Sequence, residues 1–344
     1  MLELKFKLIM RLLNTILYIV LLVGFFGSCN LSENKIEKIQ FSGNAQGTYY
    51  AVTYYDSLGR NFQPQIDSLL NDFDQTASLW VDSSLLRKLN SNETVKLNSL
   101  IKDLFEKSFS VSETTSGYFD ITVGKLVNAW GFGFLGNRTV DMLVIDSLKQ
   151  YVGYDKIQIA DSILVKENPN IEIDFNAIAQ GYSVDMVVNY LLSQGVENLL
   201  VDIGGEVVAR GAKPKGKMWV VGIEKPAESK YSTQKIEIKI SLNDMAIVTS
   251  GSYRKYYESN GIKYSHNIDP FTGKPVEHSL LSVSVLAPNA WEADAMATAF
   301  MVMGLDKALE FLEKNDAYDA YFIFDENGEY KTYSTDGFEK IIIK

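Results

Sequence analysis

Residues 290–303 read AWEADAMATAFMVM, which is the most informative stretch of the sequence. Its residues are apolar on nearly every side of a helix, which predicts a helix buried inside a core. Asp294 lies within it, and Thr298 follows four residues later on the same helical face. A buried carboxylate is costly unless it is paired or coordinated. The two oxygen-bearing side chains suit a hard cation such as Mg²⁺, and local hydrogen bonds within the helix are the alternative.

A second informative segment, residues 174–182, predicts the end of a strand, a turn of small residues and the start of another helix. Helix starts expose unpaired N–H groups that suit phosphates, and carbonyls freed in such a turn can ligate a cation. The alternative is that Asp174 and Asn176 act only as helix caps. We predict a short strand over residues 171–175 and a helix over residues 179–192.

The remaining pattern mixes strands and helices without strict strand–helix–strand alternation, which favours an α+β fold with mixed or antiparallel sheets and packed helices. Apolar residues recur at helical spacing within residues 63–112 and 126–130, which predicts helices there. No glycine-rich signature of a dinucleotide-binding or P-loop fold occurs. The other predicted strands are residues 48–55, 156–160, 163–166, 198–203, 206–210, 218–223, 235–241, 246–248, 280–286, 320–324 and 329–332.

Composition excludes several classes of protein. The 344 residues include 33 Lys and Arg against 43 Asp and Glu, a formal net charge of −10 at pH 7. Such a chain has no general basic surface, so we expect no nucleic-acid partner. A single cysteine forms no disulfide within the chain, and it rules out zinc or iron–sulfur sites built from several cysteines.

The amino terminus has the pattern of an export signal. Basic residues precede an apolar run from Leu12 to Phe26, which ends in Gly27-Ser28-Cys29. This end resembles a bacterial lipobox, in which residues 1–28 are removed and Cys29 becomes the lipidated first residue. We therefore predict a signal peptide over residues 1–28, a tether over 29–40 and a folded body over 41–344. An uncleaved anchor helix is the alternative, although about 15 apolar residues are few for a span that needs about 20.

A third segment carries a histidine with acid–base potential. His266, one of two histidines, follows Thr249-Ser250-Gly251 in the sequence. After it comes a turn that begins at Asp269-Pro270 and ends at Thr272-Gly273. The pKa range of histidine suits general acid–base work, whereas a purely structural role is the alternative.

A fourth segment, residues 116–124, places aromatic side chains beside glycines ahead of Trp130 and Phe132. Such a pattern can form a slot for a flat ring system. Ordinary core packing at a turn is the alternative, and residue type by itself favours that packing.

The order of these segments resembles the ApbE-type family of FAD:protein FMN transferases over residues 41–340. The most specific pieces are Thr249-Ser250-Gly251, the run from His266 to Gly273, and Ala293-Asp294-Ala295-x-Ala297-Thr298. The resemblance implies a T-fold-related single body of two interlocked lobes. It also implies that FAD is the substrate, that Mg²⁺ is bound, and that FMN passes to a Thr or Ser hydroxyl of a partner protein with release of AMP.

The resemblance also implies roles for individual residues. Asp294, Thr298 and the backbone carbonyl of Ala177 would bind Mg²⁺. His266 would lie at the pyrophosphate and act as the base for the incoming hydroxyl, or orient the phosphate. The implied FAD-binding residues are Gln46, Trp80, Tyr118, Phe119, Asp120, Asp174, Gln180 and His266.

Two positions depart from the family pattern. Family members often carry Lys where this chain has Gln180, and Met where it has Gln46. We interpret both as changes that alter FAD affinity.

Several functions remain open on the sequence. The leading hypothesis is an exported lipoprotein that faces the periplasm or exterior, is held at a bilayer through Cys29, and flavinylates a subunit of a membrane electron-transport complex. An FAD pyrophosphatase would use the same site with water as the nucleophile. A non-catalytic FAD-binding lipoprotein is a third hypothesis. A structural lipoprotein without a ligand is a fourth, and it leaves Asp294 without a purpose.

Overall fold

The computed structural model describes residues 1, 3, 5–13, 15, 36–133, 141–226, 235–252, 256–259 and 262–344, with the backbone alone at 256–259 and 262–264. Cys29 and most of the expected signal segment lie outside the described residues. Among the described helices, none has the length and apolar character that crossing a bilayer requires.

The helices and strands have the following bounds. Residues 5–13 form helix α1. The other α-helices are α2 Gln63–Ala77, α3 Leu85–Asn90, α4 Ser99–Thr114, α5 Gly124–Ala129, α6 Met142–Leu148, α7 Ala179–Ser193, α8 Ala290–Met303, α9 Leu305–Lys314 and α10 Asp336–Glu339. The strands are β1 Glu37–Ala45, β2 Thr48–Asp56, β3 Ile157–Ala160, β4 Ile163–Lys166, β5 Asn198–Ile203, β6 Glu206–Arg210, β7 Trp219–Glu224, β8 Ile236–Leu242, β9 Ala246–Gly251, β10 Tyr256–Ser259, β11 Ile262–Ser265, β12 Leu280–Ala287, β13 Asp319–Glu326 and β14 Glu329–Ser334.

One antiparallel sheet of eight strands organises the body, in the order β1-β2-β5-β6-β9-β12-β13-β14. The pairs β3–β4, β7–β8 and β10–β11 form separate antiparallel ribbons. The prediction of an α+β fold with antiparallel sheets and packed helices is confirmed.

Both faces of the sheet are covered, because successive side chains of a strand point to opposite faces. Val248 of β9 and Val285 of β12 belong to the main core, which also contains most of α8. Their neighbours Ile247 and Leu286 belong to a second core on the opposite face, with Trp219 of the β7–β8 ribbon. Helices therefore cover one face, and the β7–β8 ribbon covers part of the other.

A third, smaller core forms a second lobe beside the sheet. Leu126, Trp130, Ile145, Val152 and Ile268 are buried together there. Ile268 comes from the turn that follows His266, so packing in this lobe holds a residue two positions after the histidine.

Helices α7 and α8 cap each other with buried aspartates. The backbone N–H of Gly181, in the first turn of α7, donates to Oδ2 of Asp294 in α8 at 3.0 Å. In return, the N–H groups of Ala290 and Trp291 at the start of α8 donate to the two carboxylate oxygens of Asp185 in α7, at 3.0 and 2.8 Å. Each carboxylate thus satisfies helix-start N–H groups that have no partner within their own helix.

The helices can approach this closely because residue 181 is glycine. A Cβ atom there would lie 2.3 Å from the carbonyl oxygen of Ala290 and 2.8 Å from Cβ of Asp294. Since the nearest contact is backbone, a side chain would force the two helices apart.

The predicted strand over residues 171–175 is wrong. Glu172 alone makes a β-bridge, to Val123. The side chain of Asn90 donates to the carbonyl of Ile173 and accepts from its N–H, each at 2.8 Å. Because one asparagine satisfies both backbone groups, this extended segment needs no neighbouring strand.

The sheet begins at Glu37, four residues before the expected boundary of the folded body at Phe41. Residues 37–45 pair with β2 along their whole length, from Glu37 opposite Asp56 to Ala45 opposite Thr48. As an edge strand, β1 exposes many of its side chains, so its composition resembles that of a tether.

We predict that Gly181→Ala destabilises the protein by about 2 kcal/mol, because the added methyl group collides with the backbone of α8. Urea unfolding measures the change. Asn189→Ala is the matched control, since Asn189 lies on the exposed side of the same helix and its replacement should change stability by less than about 0.5 kcal/mol. Equal effects of the two substitutions would contradict the close approach.

The Asp185 carboxyl gives a pH-dependent prediction. Burial raises the pKa of Asp185 to about 6, although the hydrogen bonds from Trp291 and Ala290 oppose the rise. The folded state therefore holds this proton more tightly than the unfolded chain, and its contribution to stability falls as the pH rises from about 4 to 6. Asp185→Asn should make the stability profile less steep in that window by up to about 1.4 kcal/mol per pH unit. Parallel profiles, measured by urea unfolding, would contradict the raised pKa.

Candidate active site

A cavity of about 1630 Å³ opens between the sheet, the start of α7, one face of α8 and the smaller lobe. It is larger than the 300–1,000 Å³ usual for pockets that hold drug-sized ligands. The sequence-predicted site residues all lie on its wall: Gln46, Trp80, Tyr118, Phe119, Asp120, Asp174, Ala177, Gln180, His266, Asp294 and Thr298. Residues from widely separated stretches of chain thus meet around one space.

Asp294 and Thr298 line the cavity from α8. Asp294 is 5% exposed and accepts the Gly181 N–H. The hydroxyl oxygen of Thr298 lies 3.5 Å from that of Ser250 on β9, which also lines the cavity. The described residues contain no cluster of three or more His, Cys, Asp or Glu side chains suited to a metal. A cation here would therefore take one carboxylate with neutral oxygens, a donor set that fits a hard ion such as Mg²⁺.

The turn that carries Ala177 is anchored at Asp174. The N–H of Asp174 donates to the carbonyl of Ile121 at 2.7 Å, and Oδ1 of Asp174 accepts the Asn176 N–H at 2.8 Å. Burial raises the pKa of Asp174 to about 6. This carboxyl therefore holds its proton more tightly than an exposed aspartate does, and it lines the cavity.

Asp120 lies on the wall, but the protein already uses both of its oxygens. Oδ1 accepts the backbone N–H and the hydroxyl of Thr122, at 2.7 and 2.6 Å, and Oδ2 accepts the N–H of Tyr154 at 2.9 Å. Burial raises the pKa of Asp120 against these hydrogen bonds. Its observed contacts therefore shape the turn between Phe119 and Thr122.

The aromatic residues differ in exposure. Phe119 is buried, whereas Trp80 is 61% exposed at the cavity mouth. Tyr118 lies between these extremes, with its ring edge-on to Phe271 at a centroid distance of 5.0 Å. The cavity therefore has an aromatic surface that reaches from its interior to its rim.

His266 is half-buried and belongs to a well-anchored loop. Its ring packs edge-on against Phe132, with centroids 6.4 Å apart. Further along the loop, Nε1 of Trp130 donates to the carbonyl of Gly273 at 2.8 Å, and the Gly273 N–H donates to the carbonyl of Asp269 at 2.8 Å. The smaller lobe thereby fixes the segment that presents the histidine.

The two glutamines that depart from the family pattern are both held by the protein. Nε2 of Gln180 donates to the carbonyl of Ile203 at 2.8 Å and to the carboxylate of Glu206. Oε1 of Gln46 accepts from the hydroxyl of Ser183 at 3.2 Å. Because the amide of Gln180 already donates to Glu206, this side chain offers a ligand a weaker contact than the charge of a free lysine would.

The wall is strongly acidic. Its carboxyl side chains are Asp74, Asp120, Asp174, Asp202, Glu206, Glu224 and Asp294. No lysine or arginine lines the cavity within the described residues. A ligand with negatively charged phosphates would therefore need a bound cation to offset this field.

Sequence reasoning missed Asn267, next to His266. It is 6% exposed, it lines the cavity, and its Nδ2 has no hydrogen-bond partner among the described residues. A buried donor without a partner costs about 1–3 kcal/mol, so it is suited to receive a ligand oxygen. Its place in the motif after His266 was the available signal, but residue type gave no sign that the amide is unpaired.

Comparison with known proteins identifies the family. The family model named ApbE matches residues 46–322, a range that begins at Gln46 and includes every predicted site residue. The chain belongs to the ApbE family. The sequence resemblance is thereby confirmed.

Curated ApbE relatives match along nearly their whole length. The chain is 34% identical to an FAD:protein FMN transferase of Vibrio cholerae over 91% of this chain and 95% of that protein. It is 35% identical to one of Haemophilus influenzae over 90% of this chain and 93% of that protein. The crystal structure of the flavinyl transferase ApbE of Pseudomonas stutzeri in its apo form superimposes with a TM-score of 0.80 at 31% identity, over 89% of this chain and 97% of that one.

Proposed function

We propose that this protein transfers FMN from FAD to a Thr or Ser hydroxyl of a partner protein, forms a phosphoester and releases AMP. The observation that carries the proposal is the acidic cavity, in which an aromatic surface, a histidine and an oxygen-only donor set face the same space. The names of the curated relatives support the transfer of FMN from FAD to a protein.

The residues fit a divalent cation. Asp294, Thr298 and the carbonyl of Ala177 would hold Mg²⁺, and the N–H of Gly181 keeps the Asp294 carboxylate in place. When bound, the cation supplies positive charge beside the pyrophosphate of FAD, which the acidic wall otherwise repels.

The side chains of the protein would bind the substrates and accept the proton. In the transfer, the acceptor oxygen forms a bond to the phosphorus of the FMN half, and the bond from that phosphorus to the bridging oxygen breaks. AMP leaves with the bridging oxygen and the negative charge. His266 accepts the proton of the acceptor hydroxyl, while Tyr118 and Phe119 pack against the flavin half.

The remaining cavity residues would position FAD. Trp80 covers the exposed side of the ligand at the mouth, and Asp174 contacts it at the turn before α7. Asp120 shapes the turn under the aromatic residues. Gln180 and Gln46 contribute polar contacts that are weaker than the charge of a lysine.

The pattern of the amino-terminal residues supports a proposal for where the enzyme acts. We propose that residues 1–28 direct export, that Cys29 carries a lipid and that a short tether leads to the sheet at Glu37. The enzyme would then face the periplasm or exterior, at the bilayer surface. A membrane electron-transport subunit is a suitable acceptor, because it would lie at the same surface.

The transfer assay tests the proposed function. The protein without residues 1–29 is mixed with FAD, Mg²⁺ and a panel of soluble Thr-containing domains from membrane electron-transport subunits. We expect a covalently fluorescent acceptor on a denaturing gel, one AMP for each label, and no reaction with EDTA. AMP without label from any domain would indicate a pyrophosphatase, and FAD binding without either product would indicate a carrier.

Two substitutions separate the roles within that assay. Asp294→Asn keeps an oxygen for the Gly181 N–H but removes the charge, and should lower transfer by about 100-fold or more at fixed Mg²⁺. His266→Ala should lower transfer by about 100- to 10,000-fold while FAD binding persists. His278→Ala is the matched control, since Nε2 of His278 contacts the carbonyl of Met301 instead of the cavity. Wild-type turnover in either site variant would refute its assigned role.

Intact-mass spectrometry of the full chain expressed in a bacterium tests the anchor. We expect a chain that begins at Cys29 and carries added lipid mass. Cys29→Ser, the control, should leave the chain without lipid. An unmodified chain that retains residues 1–28 would contradict the lipoprotein proposal.

A further inference from the structure

Buried hydrogen-bond donors without a partner are concentrated at the cavity. Among the buried side-chain nitrogen and oxygen atoms of the described residues, two lack a hydrogen-bond partner: Nε2 of Gln46 and Nδ2 of Asn267. Both residues line the cavity, and both atoms are amide nitrogens, which donate and do not accept. Since most buried polar groups of a folded protein are paired, two unpaired donors on one wall indicate a ligand with acceptor oxygens.

Asn267 is the donor placed beside the expected reaction centre. It directly follows His266, which the proposed function places at the pyrophosphate of FAD, and it is 6% exposed. Its N–H donates to Oγ of Ser265 at 3.2 Å, and its carbonyl accepts the Val276 N–H at 3.0 Å. These bonds fix the backbone on both sides of the side chain. A half-turn about χ2 exchanges the amide nitrogen and oxygen within the same outline, so the amide can present its donor to the cavity.

The charge of the wall favours a phosphate oxygen as the atom that this donor binds. FAD brings two negatively charged phosphates against a wall rich in carboxylates, and within the described parts of the chain no lysine or arginine lines that wall. A hydrogen bond to a charged oxygen is roughly twice as strong as one between neutral groups. A phosphate therefore gains more from the amide than a peptide carbonyl of the acceptor protein would.

We infer that the side-chain amide of Asn267 binds FAD by donating a hydrogen bond to a non-bridging phosphate oxygen beside His266. The contact positions the phosphate and supplies part of the positive potential that the wall lacks. It also accounts for a polar group at a position where an apolar side chain of the same shape would leave no buried donor unpaired. The inference rests on the proposed function and adds a substrate-binding residue to that site.

Equilibrium titration of flavins against the full chain in detergent, with Mg²⁺ present, tests the contact. Asn267→Leu keeps the outline of the side chain but removes the donor, so it should weaken FAD binding by about 10- to 100-fold. Riboflavin, which has no phosphate, should bind within about twofold of its wild-type affinity. Asn267→Asp should weaken FAD binding more than Asn267→Leu does, because a carboxylate accepts hydrogen bonds and repels phosphate.

Urea unfolding without flavin separates this contact from a structural role. Asn267→Leu should leave the urea midpoint unchanged or raise it, since it removes an unpaired buried donor. Asn198→Leu is the matched control, because Oδ1 of Asn198 accepts the Ala212 N–H at 2.9 Å and the residue does not line the cavity. It should lower the midpoint and leave FAD affinity unchanged.

The outcomes are distinct. Wild-type FAD affinity in Asn267→Leu would overturn the contact, and so would a lower urea midpoint in that variant. Equal losses of FAD and riboflavin affinity would also overturn it, since the amide would then contact the flavin ring. Absence of FAD binding by the wild-type protein would instead count against the proposed function.

Discussion

The hydrogen bond from the Gly181 N–H to the Asp294 carboxylate is the contact on which the site depends. It joins the first turn of α7 to the first half of α8, and Asp185 returns the same interaction to the start of α8. The bond explains why an acidic side chain is tolerated on the buried side of α8. It also brings the turn with Ala177 onto the same cavity wall as Asp294, so the contact that packs the two helices also assembles the proposed cation site.

A second constraint concerns the distance between α7 and α8. The two helices approach closely only because Gly181 has no side chain. A Cβ there would overlap the backbone of α8, so the observed close approach requires glycine at position 181. The strands β9 and β12 lie beneath α8 in the main core and fix its position from the other side. The smaller lobe adds the His266 loop through the bond from Trp130 to Gly273. The fold therefore sets the distance between Asp294 and His266 across the cavity.

Strong local patterns made much of the fold predictable. The helix over residues 290–303 and the strands over residues 198–203 and 206–210 have the bounds that their sequence periodicity predicts. The strand predicted at 171–175 was wrong because one distant side chain, Asn90, satisfies the backbone there. No local signal could reveal that contact, nor the pairing of Asp185 with the start of α8. Motif order predicted which residues meet at the cavity, whereas the use of Asp120 by its own turn required three-dimensional contacts.

We propose that the buried Asp294, held by α7, frames a site for a divalent cation. Crystals of the protein grown with FAD and Mn²⁺ test it most directly, because anomalous scattering locates Mn²⁺ without ambiguity. We expect a peak bound by Asp294, Thr298 and the carbonyl of Ala177, whose oxygens are typical ligands of such hard ions. A peak bound elsewhere on the acidic wall, or none with FAD in place, would contradict it.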